Sequence, residues 1–138
     1  MVMIEENELQ VSQTDGIVIS AGPVLVDEDN HDNFLWGYYF CIENNSQNKI
    51  SVVGKNWNIT DDRGNLFSDN SDGFKGEIPE LEPGEYFEFT STAPLSSPYA
   101  VFYGSCRIKT EGQDKLKEVK IPTFAMTAPK VPTSVTLN

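Results

Sequence analysis

The sequence predicts an all-β sandwich of about seven strands. Three observations predict it. Apolar and polar residues alternate over short segments, polar turn signals separate those segments, and no stretch carries an apolar stripe at helical spacing. A strand sends successive side chains to opposite faces, so a half-buried strand reads apolar at every second residue.

The elements follow in order. LQVSQTDGIVISAGPVLV supplies one or two edge strands, interrupted by Gly16, Gly22 and Pro23. Proline is tolerated at an edge because it has no ladder N–H to donate. FLWGYYFCI, residues 34 to 42, puts Phe34, Trp36, Tyr38, Phe40 and Ile42 on one face, and the polar run NNSQNK stops it. ISVVGKNWNIT, 50 to 60, aligns Val53, Lys55, Trp57 and Ile59, and DDRGN turns the chain with Gly64. LEPGE, 81 to 85, centres a turn on Pro-Gly, which suits type II. Tyr86 to Ser91 is a short strand. VFYGSCRIKT alternates again, EGQDK turns, and LKEVKIPTFAM returns. The expected core is Trp36, Tyr38, Phe40, Trp57, Ile59, Phe87, Phe89, Phe102 and Ile108. Residues 1–7 are expected to be a flexible start, 8–126 the sandwich domain, and 127–138 a flexible tail with two prolines and little to bury.

The bulk numbers bound the function. The 138 residues suit one domain, and 38% hydrophobic residues are too many for a disordered chain. The longest strongly apolar run, near 34 to 42, is too short to span a bilayer, so no membrane is expected. MVMIEENELQ has neither a basic start nor a long apolar stretch, so a cytoplasmic protein is expected. The formal net charge of −11 repels phosphate backbones, which argues against nucleic acid.

Cys41, Trp57 and Cys106 invite an immunoglobulin-type disulfide. Strand phase argues against it. Cys41 lies between Phe40 and Ile42 and points off the apolar face, whereas Cys106 shares its phase with Phe102 and Ile108 and points inward. Two thiols on opposite faces cannot meet without a register change, so both are expected to be free.

Candidate chemistry is sparse. SDGFKGE, 71 to 77, has Gly73 and Gly76 around Phe74 and Lys75. Such glycines bind phosphates when a helix follows, and here none is expected. The favoured reading is a corner of the backbone. The alternative is an anion held by backbone N–H groups at Gly73 and Gly76 with Lys75 helping. DEDNHDN, 27 to 33, brings together Asp27, Asp29, Asp32 and His31, candidates for a weak divalent-cation site but without the glycine and terminal glutamate of an EF-hand loop. The favoured reading is a solvated acidic loop. Glu77, Glu80, Glu82, Glu85 and Glu88 are expected to keep edge strands apart. With His31 as the sole histidine, no catalytic triad can be assembled, so no enzyme and no cofactor are expected.

FLWGYYFCIENNS, NWNITDDRG, GEIPELEPGEYFEFTSTAPLSSPYAVFYGS and KIPTFAM together resemble the ApaG domain family over roughly residues 8 to 126. The resemblance implies an immunoglobulin-like or fibronectin type III-like β-sandwich. Bacterial members stand alone as small proteins and carry a genetic association with cobalt and magnesium tolerance. Similar domains in eukaryotic F-box proteins and a polymerase-delta-interacting protein imply protein binding. The family's G-x-G-x-x-G motif falls on Ser71, Gly73 and Gly76, so its first glycine is replaced here. The family's Arg-His-Trp on the third strand corresponds to Lys55, Asn56 and Trp57. The expected function is a non-enzymatic binding module for an unidentified protein partner, with Leu35, Tyr39 and Cys41 as a candidate contact patch. The alternative is a small-ligand protein that takes a pyrophosphate-type anion or a divalent cation.

Overall fold

The computed structural model describes residues 2–4, 9–26, 36–93, 97 and 99–127. Strands β1 (Val2–Ile4), β2 (Gln10–Thr14), β3 (Ile17–Val26) and β4 (Trp36–Asn44) come first. β5 (Ile50–Asp61), β6 (Leu66–Asp72), β7 (Glu80–Leu81) and β8 (Tyr86–Ala93) follow, then β9 (Tyr99–Thr110), β10 (Lys117–Lys120) and β11 (Phe124–Thr127). They form two antiparallel sheets, one of β1, β2, β3, β4 and β8, the other of β5, β6, β7, β9, β10 and β11. The all-β sandwich is as the sequence predicts.

The strand count is higher than the seven or so expected, and for one repeated reason. β3, β5 and β9 are long, and each pairs along one flank with two short strands in succession. β2 and β1 share the flank of β3, β6 and β7 that of β5, and β10 and β11 that of β9. The short pieces carry too few residues to show an alternating pattern. Residues 2–4, expected to precede the domain, pair with Val24 to Val26 as one of these pieces. The tail after Thr127 lies outside the described residues.

The core lies between the sheets. Ile17, Ile19, Phe40 and Ile42 meet Ile50, Val52, Trp57, Phe102 and Ile108, and Val119, Ile121, Phe124 and Met126 close it on one side. Phe40 stacks on Trp57 at 4.2 Å, and Phe102 on Phe124 at 5.0 Å. Each buried aromatic ring removes enough apolar surface to dominate the stability of a domain this size. The phase expected for β4 holds: Phe40 is fully buried and Cys41 partly exposed. Both cysteines are free, and they sit in different sheets.

Two expectations about the core need correction. The alternation predicts Val53 on the inner face, but the register of β5 against β9 shifts between Val52 and Gly54, so Val52 is buried and Val53 is not. A bulge of this kind inverts the side-chain phase on one side of it. Gly54 leaves room for the Arg107 guanidinium to cross it, and a Cβ there would also lie 2.9 Å from Ser71 O. Arg107 thereby reaches Ser71 O, Asn70 Oδ1 and Asp72 Oδ1 at 3.0 to 3.1 Å and ties β6 to β9 across β5. Phe87 and Phe89 are only partly buried, because β8 ends its sheet and its inner face is covered from one side. The side chain of Trp36, and all of Phe34 and Leu35, lie outside the described residues.

The two long sides of the sandwich differ. On one, β2 packs against β10 and β3 against β11, with Ser12 Oγ donating to Lys120 O at 2.9 Å and Lys117 Nζ bonded to Asp15 at 2.8 Å. On the other, β6 and β7 stand opposite β8 without a closing strand among the described residues.

Candidate functional site

The glycine segment lies on this open side. Phe74 N donates to Glu77 O at 2.7 Å and Glu77 N to Phe74 O at 3.1 Å, and the two residues between, Lys75 and Gly76, have φ of 52° and 87°. Two positive φ values between a hydrogen-bonded pair make a type I′ hairpin turn. Gly73, at φ 69°, donates its N–H to Val53 O, and a Cβ there would lie 2.7 Å from Glu77 O. The N–H groups of Gly73, Phe74 and Glu77 are therefore already used by backbone carbonyls. Phe74 drops into the core, against Trp57, Phe87 and Phe89.

Lys55 is the residue whose surroundings the sequence did not reveal. Its side chain is buried, with Nζ 2.5 Å from Gly73 O, 4.6 Å from the centroid of Phe74 and 3.9 Å from Asp69 Oδ2. A buried ammonium needs such partners, because desolvation is costly. Lys55 therefore fixes the glycine corner from beneath, while Lys75 lies over Phe89 at 5.4 Å.

Two concavities flank this corner. The larger, about 740 Å³, is lined by Glu77, Ile78, Pro79, Glu80, Leu81, Gly84, Glu85, Tyr86 and Phe87. Its wall is the 82–85 turn, where Glu85 N donates to Glu82 O at 2.9 Å, closing the turn that Pro-Gly predicts. Buried Asn44 anchors that wall. Its Nδ2 donates to Leu81 O at 2.9 Å, its carbonyl accepts from Gly84 N at 2.7 Å, and its N–H donates to Glu85 O at 2.9 Å. Ile78 and Tyr86 stand on the rim, 53% and 61% exposed. The smaller pocket, about 160 Å³, lies between Phe67, Ser68 and Asp69 of β6 and Thr92 of β8, over Tyr38, Trp57, Ile59 and Phe102. Burial raises the Tyr38 hydroxyl pKa above its ordinary value, Ser91 opposes this, and the Asp69 carboxylate adds to it.

The remaining candidates are dispersed. Asp27, Asp29, Asp32 and His31 lie outside the described residues, and among the described residues no cluster of three or more metal-ligating side chains exists. Tyr39 donates to Glu88 Oε2 at 2.8 Å on the outer face of its sheet, with Cys41 beside it, and burial followed by Glu88 pushes the Tyr39 pKa up. Burial also raises Cys41. Cys106 is pushed up to about 12 by burial, against the opposing pull of the Trp57 indole N–H, Lys55 and Arg107. That indole N–H is buried without a hydrogen bond of normal geometry. Neither thiol is activated. The sequence reading missed Ile78, Phe67 and Asp69. Ile78 next to Pro79 was a usable signal, an apolar residue in a run otherwise rich in glutamate.

The comparisons with known proteins agree with this architecture. The model of the ApaG domain matches residues 25–110. The chain belongs to the ApaG domain family. Protein ApaG of Rhizobium leguminosarum bv. trifolii is 32% identical over 119 residues, covering 84% of this chain and 91% of the relative. Protein ApaG of Beijerinckia indica subsp. indica is 38% identical over 100 residues, covering 72% and 76%. Among solved structures, an ApaA protein from Bordetella pertussis superposes with a TM-score of 0.76 at 28% identity, covering 83% of this chain and 95% of that one. The glycine corner, Lys55 and both concavities fall within the matched ApaG segment.

Proposed function

We propose that this ApaG domain is a non-enzymatic protein-binding module that works through the open side of the sandwich. The observation that carries the reading is the 740 Å³ groove, where the apolar side chains Ile78 and Tyr86 stand exposed among the carboxylates of Glu77, Glu80 and Glu85. Exposed apolar residues rimmed by charge are the composition of a contact surface. Among the described residues the titratable groups are spread over both sheets, and burial raises the pKa of both cysteine thiols instead of activating them. The cobalt and magnesium tolerance that the family resemblance implies would then act through the bound partner.

A photo-crosslinking residue placed at Ile78 or Tyr86 tests this in cells. The expected result is a discrete protein adduct from both positions and none from Gln13, an exposed residue on the closed side. Adducts that form equally from Gln13, or from none of the three, would remove the groove as the binding surface.

A further inference from the structure

We propose that the free edge of β6 takes an extended basic segment of the partner as an added strand, with one apolar side chain of that segment seated in the pocket between Phe67 and Trp57. This rests on the reading that the open side binds protein, and it names the geometry and the partner's chemistry.

The edge comes first. Among the described residues β6 pairs with β5 along one flank and ends its sheet on the other, and Leu66 to Asn70 are all exposed. An unpaired edge presents a row of N–H and C=O groups that an extended peptide can satisfy. This edge is also held in place. Arg107 ties Asn70, Ser71 and Asp72 to β9, and Ser68 Oγ donates to Asn58 Oδ1 at 2.9 Å. A pre-ordered edge loses little freedom on binding.

The pocket comes second. A strand laid against β6 sends alternate side chains into the space between the sheets. That space holds the 160 Å³ pocket, walled by Phe67 and Asp69 on β6 and Thr92 on β8, with Tyr38, Trp57, Ile59 and Phe102 beneath. A cavity of about 150 Å³ is enough for a benzene ring, so one leucine, methionine or phenylalanine side chain fits. Phe67, 41% exposed, gains most of its missing burial when the pocket fills.

Charge selects the occupant. Ten cations against twenty-one acids leave eleven acids uncompensated, whatever the pairing (21 − 10 = 11). A second copy of this chain brings the same excess and is repelled. A segment whose apolar anchor is flanked by lysine or arginine is attracted, both by the whole domain and by the glutamates of the adjoining groove.

The probe is a capped heptapeptide of alternating lysine and valine with a central leucine. Its controls are the same peptide N-methylated on every residue, which removes the N–H donors of both edges, and its glutamate counterpart. Nuclear magnetic resonance and amide exchange on the full chain are the readouts. Binding should slow exchange within residues 66–72 by about tenfold or more, shift the Trp57 indole resonance, weaken about tenfold from low to high salt, and vanish with both controls. Binding of the N-methylated peptide as tight as its parent, or shifts spread over the acidic surface without protection of residues 66–72, would overturn the added strand. If crosslinks from Ile78 and Tyr86 persist in that case, the binding-module reading stands and only this proposal falls.

Discussion

The two long sides of the sandwich answer the same problem in opposite ways. Both sheets have edges, and an edge left bare exposes core and backbone. On the side of β10 and β11 the edge is sealed. Val119, Ile121, Phe124 and Met126 are all buried, Phe124 stacks on Phe102, and Ser12 and Lys117 bridge to the facing sheet. On the side of β6 and β8 the cover is incomplete: Phe87 and Phe89 pack against the core without being fully buried, Phe67 is 41% exposed, and two concavities open between the sheets. The difference teaches where stability and function reside. The closed side contributes burial, and the open side keeps apolar surface in water, which a partner can cover.

The sharpest way to break this contrast is a pair of truncations. Phe124→Ala removes a buried ring and should cost about 3–5 kcal/mol, read as a shift of the urea midpoint. Phe67→Ala removes a ring already 41% exposed and should cost about 1 kcal/mol or less. Equal losses would mean the two sides are not built differently.

Next in size is Gly73→Ala. A side chain there meets both the positive φ and the close approach of Glu77 O, so stability should fall by roughly 1–3 kcal/mol. Calorimetric titration with pyrophosphate should show no saturable binding in the wild type or in the variant. Micromolar binding lost with Gly73 in a folded variant would reinstate the anion reading of this corner.

Asp61 gives a smaller, pH-dependent effect. Its carboxylate accepts from Asn65 Nδ2 and from the N–H groups of Asn65 and Arg63, at 2.8 to 3.0 Å, where the chain turns from β5 into β6. The Asn65 side chain first, then these N–H groups, hold its pKa below the ordinary 3.8, although burial opposes them. A depressed carboxylate stabilises the fold above its unfolded value and loses that contribution as pH falls through its folded value. The melting temperature of wild type should therefore exceed that of Asp61→Ala at neutral pH, and the gap should shrink below pH 3.8. A constant gap would assign the loss to packing alone.

Thiol labelling is the mildest probe. Cys106 pairs in register with Val119 of β10, on the closed side, and burial raises its pKa to about 12. Iodoacetamide on folded protein at neutral pH should modify Cys41 before Cys106, and Cys106 only on unfolding. Early labelling of Cys106 would show that the closed side opens readily.

How much of this was legible in the sequence follows from the range of each interaction. Local patterns were readable. FLWGYYFCI marked the faces of β4, Pro83-Gly84 marked the turn between β7 and β8, and the phases of Cys41 and Cys106 separated the thiols. The fold class needed nothing more. The bulge in β5 was signalled only by Gly54, and the Arg107 guanidinium that crosses it is 53 positions away in the chain. The burial of Lys55 likewise depends on a carbonyl 18 residues later. Above all, which edge is open is decided by which strands lie at the ends of each sheet, and alternation is blind to that order. The candidate corner at Gly73 was read correctly as a turn, but the concavities beside it became visible only once β6 and β8 faced each other.

Native-state hydrogen exchange of the free protein compares the two sides most directly. Hydrogen-bonded amides of residues 66–72 should open with a free energy at least about 2 kcal/mol below that of residues 100–108 and 117–120, which should exchange only by global unfolding. Equal opening free energies across both sides would contradict the division between a closed side that holds the fold and an open side left for a partner.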